Sequence, residues 1–501
     1  MLKTAAGRAA NLLNKGIPMH QLPSELWTRI FPLAIGHGSE QHPNEIIALT
    51  HVCRYWRTVL LSYPRIWSTI RMRPGNPSII SDWLARGQKT PLTVFAEFED
   101  MDDHPQCRYQ DPVTATLADI DTPEVCPRHK AVLSLDQLLP HRSRICDLSI
   151  LFHASGEAGW GNGYEEYYGL EPPLLHHRFF AEAFPNLQRV EFRAIRLDSD
   201  VGMIAAPNSM FAKSLPRLKE LKYLGAVGGP LATAENLDSC EIGHQSGSAE
   251  PARIYPEQLQ TLLENNKTLK SLTINWCELT TGVPTATPVT DLKFLKIGCH
   301  SREYLSEILD CIHAPQFKNL DTTELSFVEG GIQGVLSDSS GLALEFSQDD
   351  WHDLNIYPLG RWGAEITTLR LNRGATLEPR DNMEWDKPKC PGWSEIIGCF
   401  KEVQVLELHE TIADCDGAVL CAEFSSYSLP QLEVIRVSID GYCARTLQLL
   451  APVLKKRMVA KAPLAAVEPL LVNGEGGLSQ ELRAKWDGYY EAAGIRNFLP
   501  K

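Results

Sequence analysis

One apolar pattern recurs along most of this chain and limits what it can fold into: apolar, two positions, apolar, one position, apolar. It occurs as Ile145-Leu148-Ile150, Leu187-Val190-Phe192, Leu218-Leu221-Tyr223 and Leu269-Leu272-Ile274. It returns as Leu292-Leu295-Ile297, Ile366-Leu369-Leu371, Val403-Leu406-Leu408 and Leu432-Ile435-Val437, with a degenerate copy at Leu325-Phe327. The last two members alternate as in a β-strand, and the extra apolar residue three before packs that strand onto its neighbour. Phe184-Pro185-Asn186-Leu187, Leu215-Pro216-Arg217-Leu218 and Leu429-Pro430-Gln431-Leu432 introduce strands with one repeated turn. The shorter intervals fit a repeat of roughly 20–30 residues, and the longer ones fit two with a blurred copy between. One such unit cannot bury its own apolar edge, so neighbours must stack into a shared core.

That arrangement answers a problem of size. A chain of 501 residues is too long for one hydrophobic core, so it divides into several domains or extends as an array. With 44% hydrophobic and 22% charged residues it has the composition of a globular protein, not a disordered one. Its net charge of −14 argues against a nucleic-acid partner, because grip on phosphate backbones comes from clustered basic charge. No apolar run approaches the roughly 20 residues of a membrane-spanning helix, so no membrane is expected. The 13 Cys are scattered singly, which points to a reducing compartment, cytoplasmic or nuclear. Residues 1–16, with Lys3, Arg8 and Lys15 and no acid, read as a flexible basic arm.

The stretch Leu269 to Cys277 resembles a leucine-rich-repeat consensus, with Cys277 at the Asn/Cys ladder position. Extended over 131–440, the resemblance implies an irregular α/β solenoid, with parallel strands on a concave face and helices and loops on the convex one; a conventional two-domain α/β fold is the alternative. The residue between the last two apolar positions then lies on the open strand face: Ser149, Glu191, Lys222, Thr273, Lys296, Arg370, Glu407 and Arg436. The basic members Lys222, Lys296, Arg370 and Arg436 make this row net positive. They are candidates for binding an acidic or phosphorylated substrate segment, against the plainer reading of a solvated face of mixed charge. In 441–501, Leu478, Leu482, Trp486 and Tyr489 predict an amphipathic helix that caps the array.

Ahead of the array, residues 17–70 predict short helices. Pro23-Ser24-Glu25 is a helix start, followed at helical spacing by Leu26, Trp27, Ile30, Phe31, Ala34 and Ile35. Pro32 predicts a kink, or an end at Phe31. A second segment from about Asn44 carries Ile46, Ile47, Leu49, Val52, Cys53, Trp56, Val59 and Leu60, and Tyr63-Pro64-Arg65-Ile66-Trp67 makes a proline-started turn. So small a module, apolar on more than one face, should offer surface to a partner or to the rest of the chain. Leu22-Pro23-x-Glu25-Leu26-x-x-x-Ile30-Phe31, His51-Val52-Cys53-Arg54-x-Trp56-Arg57 and Pro64-x-x-Trp67-x-x-Ile70 together resemble an F-box of the type found in mushroom-forming fungi. The resemblance implies a three-helix hook that docks on a Skp1-like adaptor, and through it on a cullin. Its adaptor-binding residues would be Leu22, Pro23, Leu26, Ile30 and Phe31, supported by Val52, Cys53 and Trp56.

Residues 71–130 connect hook and array through a polar, acidic insertion. Its His104-x-x-Cys107 and Cys126-x-x-His129 pairs read as unliganded surface residues, with a tetrahedral zinc site the alternative. No metal or other cofactor is expected. Phosphate-loop, zinc-helix and nucleophile-elbow motifs are absent from the sequence. Gly330-Gly331-Ile332-Gln333-Gly334 reads as a turn, and His409-Glu410 and Asp414-Cys415-Asp416 as loop chemistry. The resemblance to an F-box followed by a leucine-rich array implies a non-catalytic substrate-recognition subunit of an SCF-type ubiquitin ligase. The alternatives are a repeat scaffold without a ligase role and an enzyme with a composite site.

Overall fold

The computed structural model describes residues 22–35, 42–72, 78–99, 127–154, 175, 177–196, 204–206, 210–211, 213, 215–228, 234–244, 252–254, 256–275, 277–279, 286–299, 302–314, 316–317, 320, 322–328, 331–338, 343–348, 366–373, 400–408, 429–438, 443–459, 464–470 and 479–495. The protein is α/β, with largely parallel sheet and several helices, and falls into two compact units, Met1–Thr233 and Ala234–Lys501.

The first unit opens with helices α1 (Ser24–Ala34), α2 (His42–Val52) and α3 (Arg54–Ser62), followed by a 3-10 turn at Pro64–Trp67. The alternative of an end at Phe31 is not met, since α1 runs through Pro32 to Ala34. Proline costs only the hydrogen bond to the Thr28 carbonyl, and Ile35 still closes the last turn on the Phe31 carbonyl at 2.9 Å. The second apolar segment divides at Cys53, whose extended backbone ends α2 and whose Sγ accepts from the Trp56 N–H at 3.4 Å to cap α3. Trp27, Phe31, Ile35, Ile46, Val59, Leu60, Ile66 and Trp67 form the core of this module. The Trp67 indole donates to the buried Leu60 carbonyl at 2.8 Å, locking the turn onto α3.

The sheet begins immediately after that turn. Strand β1 (Thr69–Met72) leads through α4 (Ser78–Arg86) to β2 (Leu92–Glu99), then α5 (Pro127–Leu138), β3 (Ile145–Ala154), the one-turn α6 (Arg178–Ala181) and β4 (Arg189–Arg196). After β5 (Ile204–Ala206) come β6 (Glu220–Leu224) and β7 (Ala226–Gly228). Strands β1, β2, β3, β4 and β6 pair in that order, all parallel, while β5 and β7 make a separate parallel pair. The apolar members of the pattern are buried along each main strand, and burial alternates with period two in β1, β2 and, from Leu148 onward, β3. In the phrases at 184–187 and 215–218 the fourth residue's N–H donates to the first residue's carbonyl at 3.3 and 3.0 Å. Proline at the second position presets this turn, and the buried first residue anchors it.

The second unit contains β8 (Ser239–Gly243), β9 (Ala252–Ile254), α7 (Pro256–Asn265), β10 (Ser271–Asn275), β11 (Cys277–Leu279), β12 (Thr287–Pro288) and β13 (Phe294–Cys299). Then follow α8 (Arg302–Cys311), β14 (Ile312–His313), β15 (Thr322–Val328), β16 (Gly331–Ser337), β17 (Ala343–Gln348), β18 (Thr368–Arg373), β19 (Val405–Leu408), β20 (Val434–Ser438), α9 (Cys443–Val459), β21 (Ala466–Leu470) and α10 (Gln480–Ala492). The spatial order is β8, β10, β13, β17, β16, β15, β18, β19, β20, β21. Small parallel pairs β9–β11 and β12–β14 lie apart from it.

Two expectations change here. Gly331 to Gly334, read as a turn, lies in β16, which pairs antiparallel with both β15 and β17. An antiparallel meander therefore interrupts the parallel order, so β13 is followed by β17 and not by the next strand in sequence. The stretch from Gly225 to Glu250, rich in Gly, Ala and Ser, reads in sequence as a loop, yet Ser239–Gly243 within it form β8 beside β10. The pattern was present there as Leu237-Cys240-Ile242, all three buried.

A buried amide organises the start of β10. Asn266 is fully buried: its Oδ1 accepts from the Leu237 N–H at 2.7 Å, and its Nδ2 donates to the Ala234 and Leu262 carbonyls at 2.9 and 2.7 Å. It is also the first residue of the recurring turn, with the Leu269 N–H donating to its carbonyl at 3.0 Å. Cys277, expected at a ladder position, begins β11. Farther on, Arg457 of α9 is buried and donates to the Leu429 carbonyl at 3.2 Å, tying that helix to the turn before β20; burial lowers its pKa. Trp486 of α10 is buried and stacks with Tyr490. Among the described residues, no helix is long and apolar enough to cross a membrane.

Candidate functional site

Helix α1 has two apolar faces. Trp27, Phe31 and Ile35 point into the module, where the Trp27 ring stacks on Phe31 at 5.0 Å and meets Trp56 at 4.8 Å. On the other side Leu26, Ile30 and Leu33 are 41%, 37% and 81% exposed. Residues four and three apart project from one helix face, so these three form a continuous stripe. Ile47 and Val52 of α2 and Leu61 of α3 are exposed as well. Several large aliphatic side chains left in water on one small module make it a candidate interaction surface.

The eight residues expected on an adaptor face separate by burial. Pro23, Leu26, Ile30 and Val52 are exposed, whereas Phe31 is 1% exposed and belongs to the core. Leu22 and Trp56 are partly buried against that core, and the Leu22 carbonyl accepts from the Tyr55 hydroxyl at 2.9 Å. Cys53 is the cap of α3. Leu33 and Ile47 were missed; their signal is an apolar residue at a helical position that the buried face does not use.

The strand faces are the second surface. In the first unit, Asp147, Arg189 and Glu220 are register neighbours, as are Ser149, Glu191 and Lys222. The buried Glu191 carboxylate is held by Arg193, with Arg189 at 3.6 Å. Burial raises the pKa of Asp147; Arg189 opposes the rise, while Glu191 and Glu220 add to it. Arg71 lies over the Phe95 ring at 4.6 Å, and His153 Nε2 is 3.3 Å from Glu97 Oε1.

In the second unit, strand register extends the row. Lys296, Arg370 and Arg436 share it with Glu241, Glu345, Glu324, Glu407 and Glu468, three basic positions against five acidic. Arg370 Nε donates to Glu407 Oε2 at 2.6 Å; Arg436 donates to Glu407 Oε1 at 2.9 Å and to Glu468 Oε2 at 3.2 Å. Arg370 and Arg436 are thus engaged within the chain. The hydrogen bond to Glu407 chiefly raises the pKa of Arg436, helped by the one to Glu468.

His104, Cys107 and Cys126 lie outside the described residues, and His129 falls in the first turn of α5. His409, Glu410, Asp414, Cys415, Asp416 and Leu478 also lie outside them. Among the described residues, no group of three or more His, Cys, Asp or Glu could hold a metal ion. No protein-family model matches the chain, and no curated protein matches it.

Proposed function

We propose that this protein recruits substrates to an SCF-type ubiquitin ligase, with α1–α3 acting as an F-box and the strands as an irregular leucine-rich array. The observation that carries this reading is the second apolar face of α1. A helix that buries Trp27 and Phe31 still holds Leu26, Ile30 and Leu33 in water, and helix α1 remains unbroken at Pro32, so the stripe is continuous. A Skp1-like adaptor would cover that stripe together with Ile47 and Val52, and would connect the chain to a cullin.

The strand faces would receive the protein substrate. Lys222, Lys296, Arg370 and Arg436 are positions on that face, and their acidic register neighbours favour a partner of mixed charge over a purely acidic one. The chain would form no bond itself. It would raise the effective concentration of a substrate lysine near a charged conjugating enzyme, in the cytoplasm or nucleus. Co-expression with a Skp1-like adaptor tests the reading: a stable complex is expected, and its absence would remove the ligase role.

A further inference from the structure

His177 precedes the one-turn helix α6 and caps it with a ring nitrogen: Nδ1 accepts from the Phe179 N–H at 3.1 Å. A histidine can accept there only while Nδ1 carries no proton, so the cap requires the neutral ring, with its hydrogen on Nε2. That Nε2 faces Asp136 Oδ1 of α5 at 3.5 Å, and Arg178 donates to the same oxygen through Nη2 at 2.6 Å. The charged groups acting on the ring, among the described residues, are Asp136 from α5 and Arg178 on its own element.

What the cap secures is large. Phe179 and Phe180 are fully buried and join Phe184 and Phe211 in an edge-to-face aromatic cluster with centroids 5.1 to 6.1 Å apart. The Phe211 N–H donates to the Phe180 carbonyl at 2.8 Å, so α6 also positions the segment that carries Phe211.

We propose that His177 is a pH-sensitive cap, whose protonation releases the Phe179 N–H and loosens the single turn of α6 in the first unit. Two carbonyl contacts of α6 do not depend on the ring, so the opening is local and reversible. Burial disfavours the charged ring and lowers its pKa; Asp136 works against that shift and Arg178 adds to it. In acid, therefore, the uncapped state is reached by disrupting a site that prefers the neutral ring, and local opening relieves that conflict.

The test is hydrogen exchange of the full chain, followed by mass spectrometry over 178–184 and corrected for intrinsic rates. Between pH 7.5 and 5.5 protection there should fall several-fold, because the opened segment takes up the proton that the capped ring disfavours. In His177→Asn, whose amide oxygen caps at either pH, protection should stay constant. Asp136→Asn provides a second readout, because removing the carboxylate that favours the charged ring in the capped state makes that state disfavour the proton more and should deepen the loss of protection in acid. Constant protection in the wild type, an equal fall in His177→Asn, or a shallower fall in Asp136→Asn would each overturn the proposal.

Discussion

Arg436 reaches two carboxylates at once, Glu407 on the neighbouring strand β19 and Glu468 on β21, so a single guanidinium ties three adjacent strands together. With Arg370 on the far side of Glu407, charge alternates along four consecutive strands. Glu407 is the buried member, its side chain 6% exposed against about two-fifths for either arginine. Removing one arginine should therefore cost more than an exposed pair would. Arg370→Leu or Arg436→Leu is expected to destabilise the protein by about 1–3 kcal/mol, since it strands part of a buried charge. Urea denaturation of each variant beside the wild type checks this.

Asn266 satisfies one backbone donor and two backbone acceptors with one side chain, all in buried surroundings. Asn266→Ala deletes those bonds and leaves the Leu237 N–H without its partner. The expected loss is about 4–6 kcal/mol, from three hydrogen bonds of about 1 kcal/mol each plus about 1–3 kcal/mol for an unsatisfied buried group. Asn266→Asp should also destabilise, because it keeps the acceptor but loses the donor while burying a charge. Thermal and urea denaturation of both variants measure the effect.

Asp147 provides a pH signature. Its pKa is raised by burial first and by Glu191 and Glu220 next, so the folded state binds its proton more tightly than the unfolded chain does. Such a group supports the fold below its unfolded pKa and loses that support as pH rises through the folded value. Asp147→Asn should therefore be more stable than the wild type at pH 7, by less than about 1 kcal/mol after screening at this half-exposed site. That advantage should disappear on acidification towards pH 4, as seen by denaturation at several pH values.

Gly225 joins β6 to β7 with φ +75°, and a Cβ there would overlap the Ala194 backbone carbonyl. Gly225→Ala is expected to cost more than the roughly 1 kcal/mol of an ordinary left-handed position, because backbone cannot yield as a side-chain tip can. A lowered thermal midpoint checks it.

Much of the α/β architecture was legible because burial follows the two-residue period so closely. In β10, Leu272 and Ile274 are buried while Ser271, Thr273 and Asn275 are not, as the pattern requires. Trp67-Ile70-Met72 was overlooked because its tryptophan also closes the helical module, although it leads into β1 as other copies lead into their strands. Leu237-Cys240-Ile242 was hidden by a cysteine serving as the apolar member and by the surrounding glycines. The meander at β15 to β17 was not legible at all. Alternation reports which face a side chain takes but not whether the neighbouring strand is parallel or antiparallel.

On the hook, periodicity identified apolar positions but could not divide them. Phe31 and Ile30 are adjacent in sequence and equally apolar, yet one is buried by Trp27 and Trp56 and the other faces water. That division depends on where α3 packs, which one helix's sequence does not specify. Strand charge was equally hard to anticipate, because the register that places Glu468 beside Arg436 joins residues far apart in sequence.

The most direct measurement of the central claim is co-purification of the full chain with a Skp1-like adaptor, for the wild type and for Leu26→Asp with Ile30→Asp. Both substituted positions are exposed, so the variant should keep the wild-type thermal midpoint and circular dichroism. The account predicts an equimolar complex for the wild type and its loss in the folded variant. A wild type that binds no adaptor, or a folded variant that binds it undiminished, would contradict it.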